Sequence, residues 1–114
     1  MKLIFVYNAE SGKLNALFDI AHKIIKPETY QCSLCAITHD ALSEKKAWSE
    51  FKASTKLELE FLHKDEFEEK YTLTFDYPVV LENAEPIKPV ITAEELGKFD
   101  NVEELIQRIR KLET

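Results

Sequence analysis

The sequence predicts a single α/β domain over residues 1–114, with a mostly parallel central sheet, helices on both faces and a C-terminal β-hairpin. Three observations lead to this fold class. Apolar runs typical of strands alternate with amphipathic helical stretches in the order βαβαβαββα. The first run, Lys2–Tyr7, is apolar on both faces, as in strands that helices cover on both sides. A length of 114 residues suits one compact domain and leaves no room for a second.

The first half of the chain is expected to contain three strands separated by two helices. The strands are predicted over residues 2–7, 34–38 and 57–61. The first helix is predicted over residues 13–25, between the first two strands. Asp40 or Ser43 is expected to cap the second helix, which ends at residue 53 and turns Trp48 inward. Glutamates alternate with apolar residues in the third strand, so that strand is expected near an edge of the sheet.

The second half is expected to contain a short helix, a hairpin and a terminal helix. The short helix and the two hairpin strands are predicted over residues 65–71, 79–82 and 87–91. Thr92 and Glu95 have the spacing of a capping box, which opens a short turn of helix. Asp100 is expected to cap the last helix, with Glu103 three residues further on.

One local motif resembles a feature of a known fold family. Residues 76–81, which read DYPVVL, are similar to the strand that opens with a cis-proline in thioredoxins and glutaredoxins. Residues 99–112 also resemble the C-terminal helix of those families. With the element order, these features make the chain similar to an atypical member of the thioredoxin-like superfamily. The resemblance implies a thioredoxin-like domain in which Pro78 follows a cis peptide bond.

The resemblance allows two registers, which place the redox site of the family at different positions. In the thioredoxin register Lys2–Tyr7 is an edge strand, and the site falls at residues 40–46. In the glutaredoxin register that strand is central, and the site falls at residues 8–13. The apolar first strand and the alternating third strand favour the second register. Neither segment contains a cysteine, so the usual active-site cysteines of the family are missing.

The two cysteines of the chain form a Cys32-x-x-Cys35 pair, whose spacing suits thiol redox chemistry or zinc binding. In the predicted fold this pair starts a strand, where extended residues three apart point to opposite faces. It also lacks the helix N-terminus that lowers the pKa of a reactive thiol. The sequence therefore favours a structural role for two small, half-buried hydrophobes, and Cys32 and Cys35 stay candidates for catalysis.

A zinc site is the other chemical use of the pair, and zinc is the one cofactor that the sequence suggests. His22, Cys32, Cys35 and His39 have ligand types that suit zinc, although their spacing matches no zinc finger. Asp19 lies three residues before His22 on the predicted helix and can orient its imidazole.

The turn after the first strand superficially resembles a P-loop, because it joins a buried strand to a helix and contains Gly12 and Lys13. The P-loop motif requires glycine where Tyr7 stands and serine or threonine where Leu14 stands, so GTPase activity is not expected. Backbone N–H groups at a helix start can still bind a small anion. The candidates for binding an anion or another ligand are therefore Asn8, Ser11, Gly12, Lys13, Asp19 and Pro78.

Composition argues against several classes of function. The net charge is −6 and no long basic run occurs, which disfavours nucleic acid as a partner. No apolar run approaches the roughly 20 residues that cross a bilayer, so no association with a membrane is expected. The opening apolar stretch is too short for a signal peptide, and a cytoplasmic location is expected.

Two hypotheses for the function follow. In the first, the chain is a small cytoplasmic binding or accessory domain that has no standard catalytic site and contacts an unknown small molecule or protein. In the second, it is a thiol-redox or zinc-binding protein that uses Cys32 and Cys35, with His22 and His39 as helpers. The lack of cysteine at the usual positions of the family favours the first hypothesis.

Overall fold

The computed structural model describes residues 1–9, 32–39 and 44–113, which form a four-stranded sheet with helices packed against it. The strands are β1 (Lys2–Tyr7), β2 (Glu58–His63), β3 (Val79–Glu82) and β4 (Lys88–Ile91). The helices are α1 (Ser33–Thr38), α2 (Lys46–Ser54), α3 (Lys64–Tyr71), α4 (Ala93–Gly97) and α5 (Val102–Arg110), and a 3₁₀ turn (Lys111–Glu113) follows α5. The predicted helix over residues 13–25 lies outside the described residues.

The described sheet is mixed, with the strand order β2-β1-β3-β4. β1 lies between its parallel neighbour β2 and its antiparallel neighbour β3, and β3 and β4 form an antiparallel hairpin. A central first strand, an edge position for β2 and a C-terminal hairpin are therefore confirmed within this sheet. The prediction of a mostly parallel sheet is wrong, because the expected second parallel strand is a helix and β1–β2 is the one parallel pairing described.

Residues 34–38, which the sequence predicts as a strand, lie in α1. The buried residues of this helix are Leu34, Ile37 and Thr38, whose spacing of three and four places them on one helical face. A strand buried on one face buries every second residue instead. In so short an apolar run, periodicity does not separate a buried helix from a buried strand, which explains the error.

The starts of two helices also differ from the predictions. α2 begins at Lys46, so neither Asp40 nor Ser43 caps it. α5 is capped by Asn101 and not by Asp100. An asparagine oxygen caps a helix about as well as an aspartate oxygen does, and position 101 directly precedes the first helical residue.

The sheet divides the core into two parts, because successive residues of β1 face opposite sides. Leu3 and Phe5 face the larger part, to which α1, α2, α4 and α5 contribute buried residues. Ile4 and Val6 face the smaller part, to which α3 contributes Phe67. Since these β1 side chains are fully buried, helices cover both faces of the sheet, as predicted.

Aromatic packing fixes α2 against the sheet. Trp48 is fully buried, meets Phe5 edge-on at 5.7 Å between ring centroids and stacks on Phe51 at 5.5 Å. The prediction that Trp48 turns inward is confirmed. Because α2 is anchored in this way, the residues just before it are held close to the carboxyl end of β1, where the candidate site lies.

Candidate functional site

The first turn of α1 contains a disulfide between Cys32 and Cys35. Cys32 is the N-cap residue of the helix, and Cys35 is its third residue. Side chains three residues apart lie on the same side of a helix, and the two Cα atoms are 5.3 Å apart, a usual separation for a disulfide. The prediction that the pair starts a strand and lacks a helix N-terminus is therefore wrong, because Cys32 caps α1.

The two sulfurs differ in burial and in hydrogen bonding. Cys32 is 2% exposed and belongs to the larger part of the core, whereas Cys35 is half-buried at the border of that part. The backbone N–H of Cys35 donates a hydrogen bond to Cys32 Sγ at 3.3 Å. A hydrogen bond to the charged form of a group favours that form, so this one stabilises a Cys32 thiolate once the disulfide is open.

The C-terminal end of α1 positions His39. The buried Thr38 hydroxyl donates to the carbonyl oxygen of Leu34 at 2.8 Å and lies 2.8 Å from His39 Nδ1. Because the hydroxyl hydrogen is used on Leu34, we assign Nδ1–H of His39 as the donor to Thr38 Oγ1. The other ring nitrogen, Nε2, lies 3.7 Å from a carboxylate oxygen of Glu44. The ring is thus oriented by a hydroxyl on one side and a carboxylate on the other.

The carboxylate of Glu44 is held in place by α2. Ser49 and Lys52 both donate hydrogen bonds to it. Burial raises the pKa of this carboxyl, but the hydrogen bonds from Lys52 and Ser49 and the charge of His39 together lower the pKa below its ordinary value. Glu44 is therefore an ionised group beside His39.

The carboxyl ends of β1 and β2 meet the end of α1 at Tyr7. The Tyr7 ring centroid lies 6.3 Å from that of His39 and 6.0 Å from that of His63, the partner of Tyr7 in the parallel register. Burial and the negative charge of Glu44 raise the pKa of Tyr7 above its ordinary value. Tyr7 therefore keeps its phenolic proton near neutral pH and can act as a hydrogen-bond donor at this end of the sheet.

Two of the predicted ligand-binding residues lie at the same end of the sheet. Asn8 directly follows β1, and Pro78 directly precedes β3, whose first residue pairs with Val6. The Tyr77–Pro78 peptide bond is cis. The remaining candidates for ligand binding lie outside the described part of the chain; they are Ser11, Gly12, Lys13 and Asp19. The same holds for His22, a candidate zinc ligand.

The predicted zinc ligands are only partly brought together. α1 and its two cap residues carry Cys32, Cys35 and His39, but the two sulfurs are joined to each other. Zinc binds cysteine as a thiolate, so the disulfide form supplies no sulfur ligand. In the described part of the chain, no three His, Cys, Asp or Glu side chains are grouped so as to hold a metal ion. His22 is not among the described residues.

Three residues of the site, Tyr7, Thr38 and Glu44, are not among the candidates that the sequence provides. Their roles depend on α1 being a helix, since the helix carries His39 to Tyr7 and Glu44. The signal that the sequence contains is the three-and-four spacing of the buried α1 residues, which is ambiguous in so short a segment.

The helices of the described part of the chain are short. The longest of them, α2 and α5, have 9 residues each. Within residues 1–9, 32–39 and 44–113, no helix has the length and apolar character needed to cross a membrane. No family model matches the chain, and no curated protein or solved structure matches it either.

Proposed function

We propose that this chain is a small cytoplasmic thiol–disulfide redox protein of thioredoxin-like type, in which Cys32 and Cys35 alternate between a dithiol and a disulfide. The observation that carries the proposal is the disulfide within the first turn of α1, with Cα atoms 5.3 Å apart. In a reducing compartment, a Cys-x-x-Cys pair that forms a disulfide is typical of redox exchange and not of a permanent cross-link.

The short span of the disulfide supports a redox role over a structural one. The cysteines are separated by 3 positions in the chain, so the disulfide closes a very small loop. By the chain-entropy relation such a loop stabilises the fold by about 2 kcal/mol, compared with about 3 kcal/mol for a 15-residue loop. A cross-link placed for stability gains more by joining distant segments. The position of this one favours reactivity as the reason for the pair.

The surroundings of the disulfide also support exchange with an external thiol. Cys35 is half-buried, and the next residue, Ala36, is small and exposed. Cys35 is thus the more exposed cysteine of the pair, and an attacking sulfur reaches it more readily than Cys32. The hydrogen bond from the Cys35 N–H to Cys32 Sγ supports the thiolate that forms when the disulfide opens.

The thioredoxin-like assignment is supported by the arrangement of the strands. A central β1 with a parallel neighbour on one side and an antiparallel hairpin on the other agrees with the glutaredoxin register. Pro78 lies at the start of β3, at the same end of the sheet as Tyr7. The chain departs from the family in the place of its cysteines, which lie on α1 and not in the turn directly after β1.

The proposed cycle is a two-electron exchange with a dithiol or disulfide partner. A partner dithiol gives two electrons to the Cys32–Cys35 disulfide and becomes a disulfide itself, while the two protein sulfurs take up the two protons. In the opposite direction the Cys32–Cys35 dithiol reduces a partner disulfide. His39 lies at the end of the helix that Cys32 caps, and Thr38 and Glu44 orient its ring. Its imidazole is suited to exchange protons with solvent during the cycle.

The proposal is tested by cycling the native protein between its two states. Native protein is reduced with dithiothreitol, freed of reductant and reoxidised with glutathione disulfide, and samples are alkylated and weighed by intact mass spectrometry. We expect two alkylated thiols after reduction and none after reoxidation, over repeated cycles and with an unchanged circular dichroism spectrum. The variant in which both Cys32 and Cys35 are replaced by serine is the control and should show no alkylation.

Two results contradict the redox proposal. One is a disulfide that dithiothreitol reduces only after the protein is unfolded in urea. The other is a reduced protein whose two thiols do not form the disulfide again with glutathione disulfide. Either result leaves the first hypothesis from the sequence, a binding or accessory domain, as the account of this chain.

A further inference from the structure

The disulfide is asymmetric, and this asymmetry assigns different roles to its two sulfurs. We infer that Cys35 is the sulfur that forms the mixed disulfide with the partner, and that Cys32 is the internal sulfur that leaves and later resolves it. The inference rests on the proposed redox function and adds to it the order of the two steps.

Burial is the first reason for this order. A thiolate attacks a disulfide along the line of the two sulfurs, so it must approach the attacked sulfur from outside. Cys32 is 2% exposed and packs within the larger part of the core, between the sheet and helices. Cys35 is half-buried and is followed by the exposed Ala36. Cys35 is therefore the more accessible of the two residues, whereas Cys32 is enclosed by the core.

Hydrogen bonding is the second reason. In exchange reactions the sulfur that is better stabilised as a thiolate leaves faster. The Cys35 N–H donates to Cys32 Sγ at 3.3 Å, and this bond strengthens when the acceptor becomes negative. Burial in the core opposes the charge on Cys32, and the hydrogen bond offsets part of this effect. The backbone thus supports Cys32 as the leaving sulfur.

The first step follows from these two features. A partner thiolate attacks Cys35 Sγ, a new sulfur–sulfur bond forms to the partner, and the Cys32–Cys35 bond breaks with its electron pair passing to Cys32 Sγ. In the second step the other thiolate of the partner attacks the partner sulfur of the mixed disulfide. The partner leaves as a disulfide, the Cys35 thiolate is released, and both protein thiolates take protons from water. The reduced protein follows the same steps in reverse, with Cys35 attacking and Cys32 resolving.

Single-cysteine variants separate the two roles. Cys32→Ser keeps only Cys35, and Cys35→Ser keeps only Cys32. Each variant is mixed with glutathione disulfide, and the rate at which the glutathione adduct forms is followed by intact mass spectrometry at several pH values. We expect the Cys32→Ser variant to react at least about tenfold faster than the Cys35→Ser variant, because its remaining thiol is accessible.

A second measurement does not depend on the folding of a variant with a changed core residue. Oxidised wild-type protein is mixed with reduced glutathione and quenched with acid within seconds, and the glutathione adduct is assigned by fragmentation of the resulting peptide. We expect glutathione on Cys35.

Cys32→Ala is an alternative to Cys32→Ser in the first measurement. Its circular dichroism spectrum is compared with that of the wild type to show that the variant is folded.

The outcomes separate failure of the order from failure of the redox function. If the wild-type protein cycles but glutathione is found on Cys32, or the Cys35→Ser variant reacts as fast or faster, the assigned order is wrong and the redox function stands. If the native wild-type protein exchanges with neither reduced glutathione nor glutathione disulfide, both the order and the redox function are wrong. Glutathione on Cys35, with the faster reaction of Cys32→Ser, supports both.

Discussion

Glu60 on β2 contacts three side chains that tie the edge of the sheet to its neighbours. Lys2 on β1 lies 3.2 Å from one carboxylate oxygen, and the Tyr71 hydroxyl donates to the carboxylate at 2.7 Å. Lys70 on α3 also donates to it. Burial raises the pKa of this carboxyl, but the hydrogen bonds from Lys70, Tyr71 and Lys2 outweigh burial and lower the pKa to about 2.

This lowered pKa predicts how stability depends on pH. Because the folded state holds Glu60 ionised, the stabilisation is fully present above the ordinary pKa of 4.5 and is lost as the pH falls towards about 2. Glu60→Gln should lower the free energy of unfolding at pH 7 by about 1–2 kcal/mol, after allowance for the solvent around Lys70. The difference from the wild type should shrink between pH 5 and pH 3 in urea unfolding experiments.

Glu58 provides the control for this prediction, because it lies on the same strand and is exposed. Glu58→Gln should change the free energy of unfolding by less than about 0.5 kcal/mol. An equal loss for the two variants, or a Glu60→Gln difference that does not change with pH, contradicts the role given to Glu60.

At the scale of the elements, two substitutions at the start of α5 test which residue caps this helix. The Asn101 side chain accepts a hydrogen bond from the Glu104 N–H at 3.0 Å, whereas Asp100 contributes its backbone N–H to the Glu104 carboxylate. Asn101→Ala should therefore lower the free energy of unfolding by about 1 kcal/mol, because it leaves a helix N–H without its acceptor. Thermal and urea unfolding measure this loss.

Asp100→Ala is the matched variant one residue earlier. It keeps the backbone N–H that contacts Glu104 and removes a side chain that does not cap α5. Its effect on the free energy of unfolding should stay within about 0.5 kcal/mol. If Asp100→Ala is the more harmful of the two, the cap is the one that the sequence predicts and not the one that the structure describes.

Most described elements can be predicted from the sequence, because their local signals are long or unambiguous. The predicted bounds of β3, β4 and α3 agree with the structure within one residue. α1 is the exception, since its short apolar run fits a strand or a helix equally well and only tertiary packing decides. That single error also produces the wrong expectation of a mostly parallel sheet.

The wrong prediction of residues 34–38 as a strand affects the candidate site more than it affects the fold. The sequence alone identifies Cys32 and Cys35 as the pair to consider, because no other cysteine occurs. Whether the pair can react depends on backbone geometry, since a strand separates the two side chains and a helical turn joins them. Tyr7 and Glu44 meet His39 only through the folded arrangement of β1, α1 and α2, which no local pattern contains.

At the scale of the whole molecule, the sheet gathers polar groups at one end. β1 and β2 run parallel and end at Tyr7 and His63, and β3 begins there after Pro78. In α/β sheets, the carboxyl ends of the strands are the usual place for a ligand. α1 connects this end, through His39, with the disulfide at its own start. The fold thus places the Cys32–Cys35 disulfide at one end of α1 and these polar groups at the other.

The reduction potential of the Cys32–Cys35 pair tests the central claim most directly. Native protein is equilibrated in a series of dithiothreitol and glutathione buffers, and the fractions of dithiol and disulfide are measured by alkylation and intact mass. A redox pair should titrate reversibly in a single two-electron transition above about −300 mV, where structural disulfides are not usually found. A pair that stays oxidised in every buffer down to that potential is a structural cross-link, and this result contradicts the redox function.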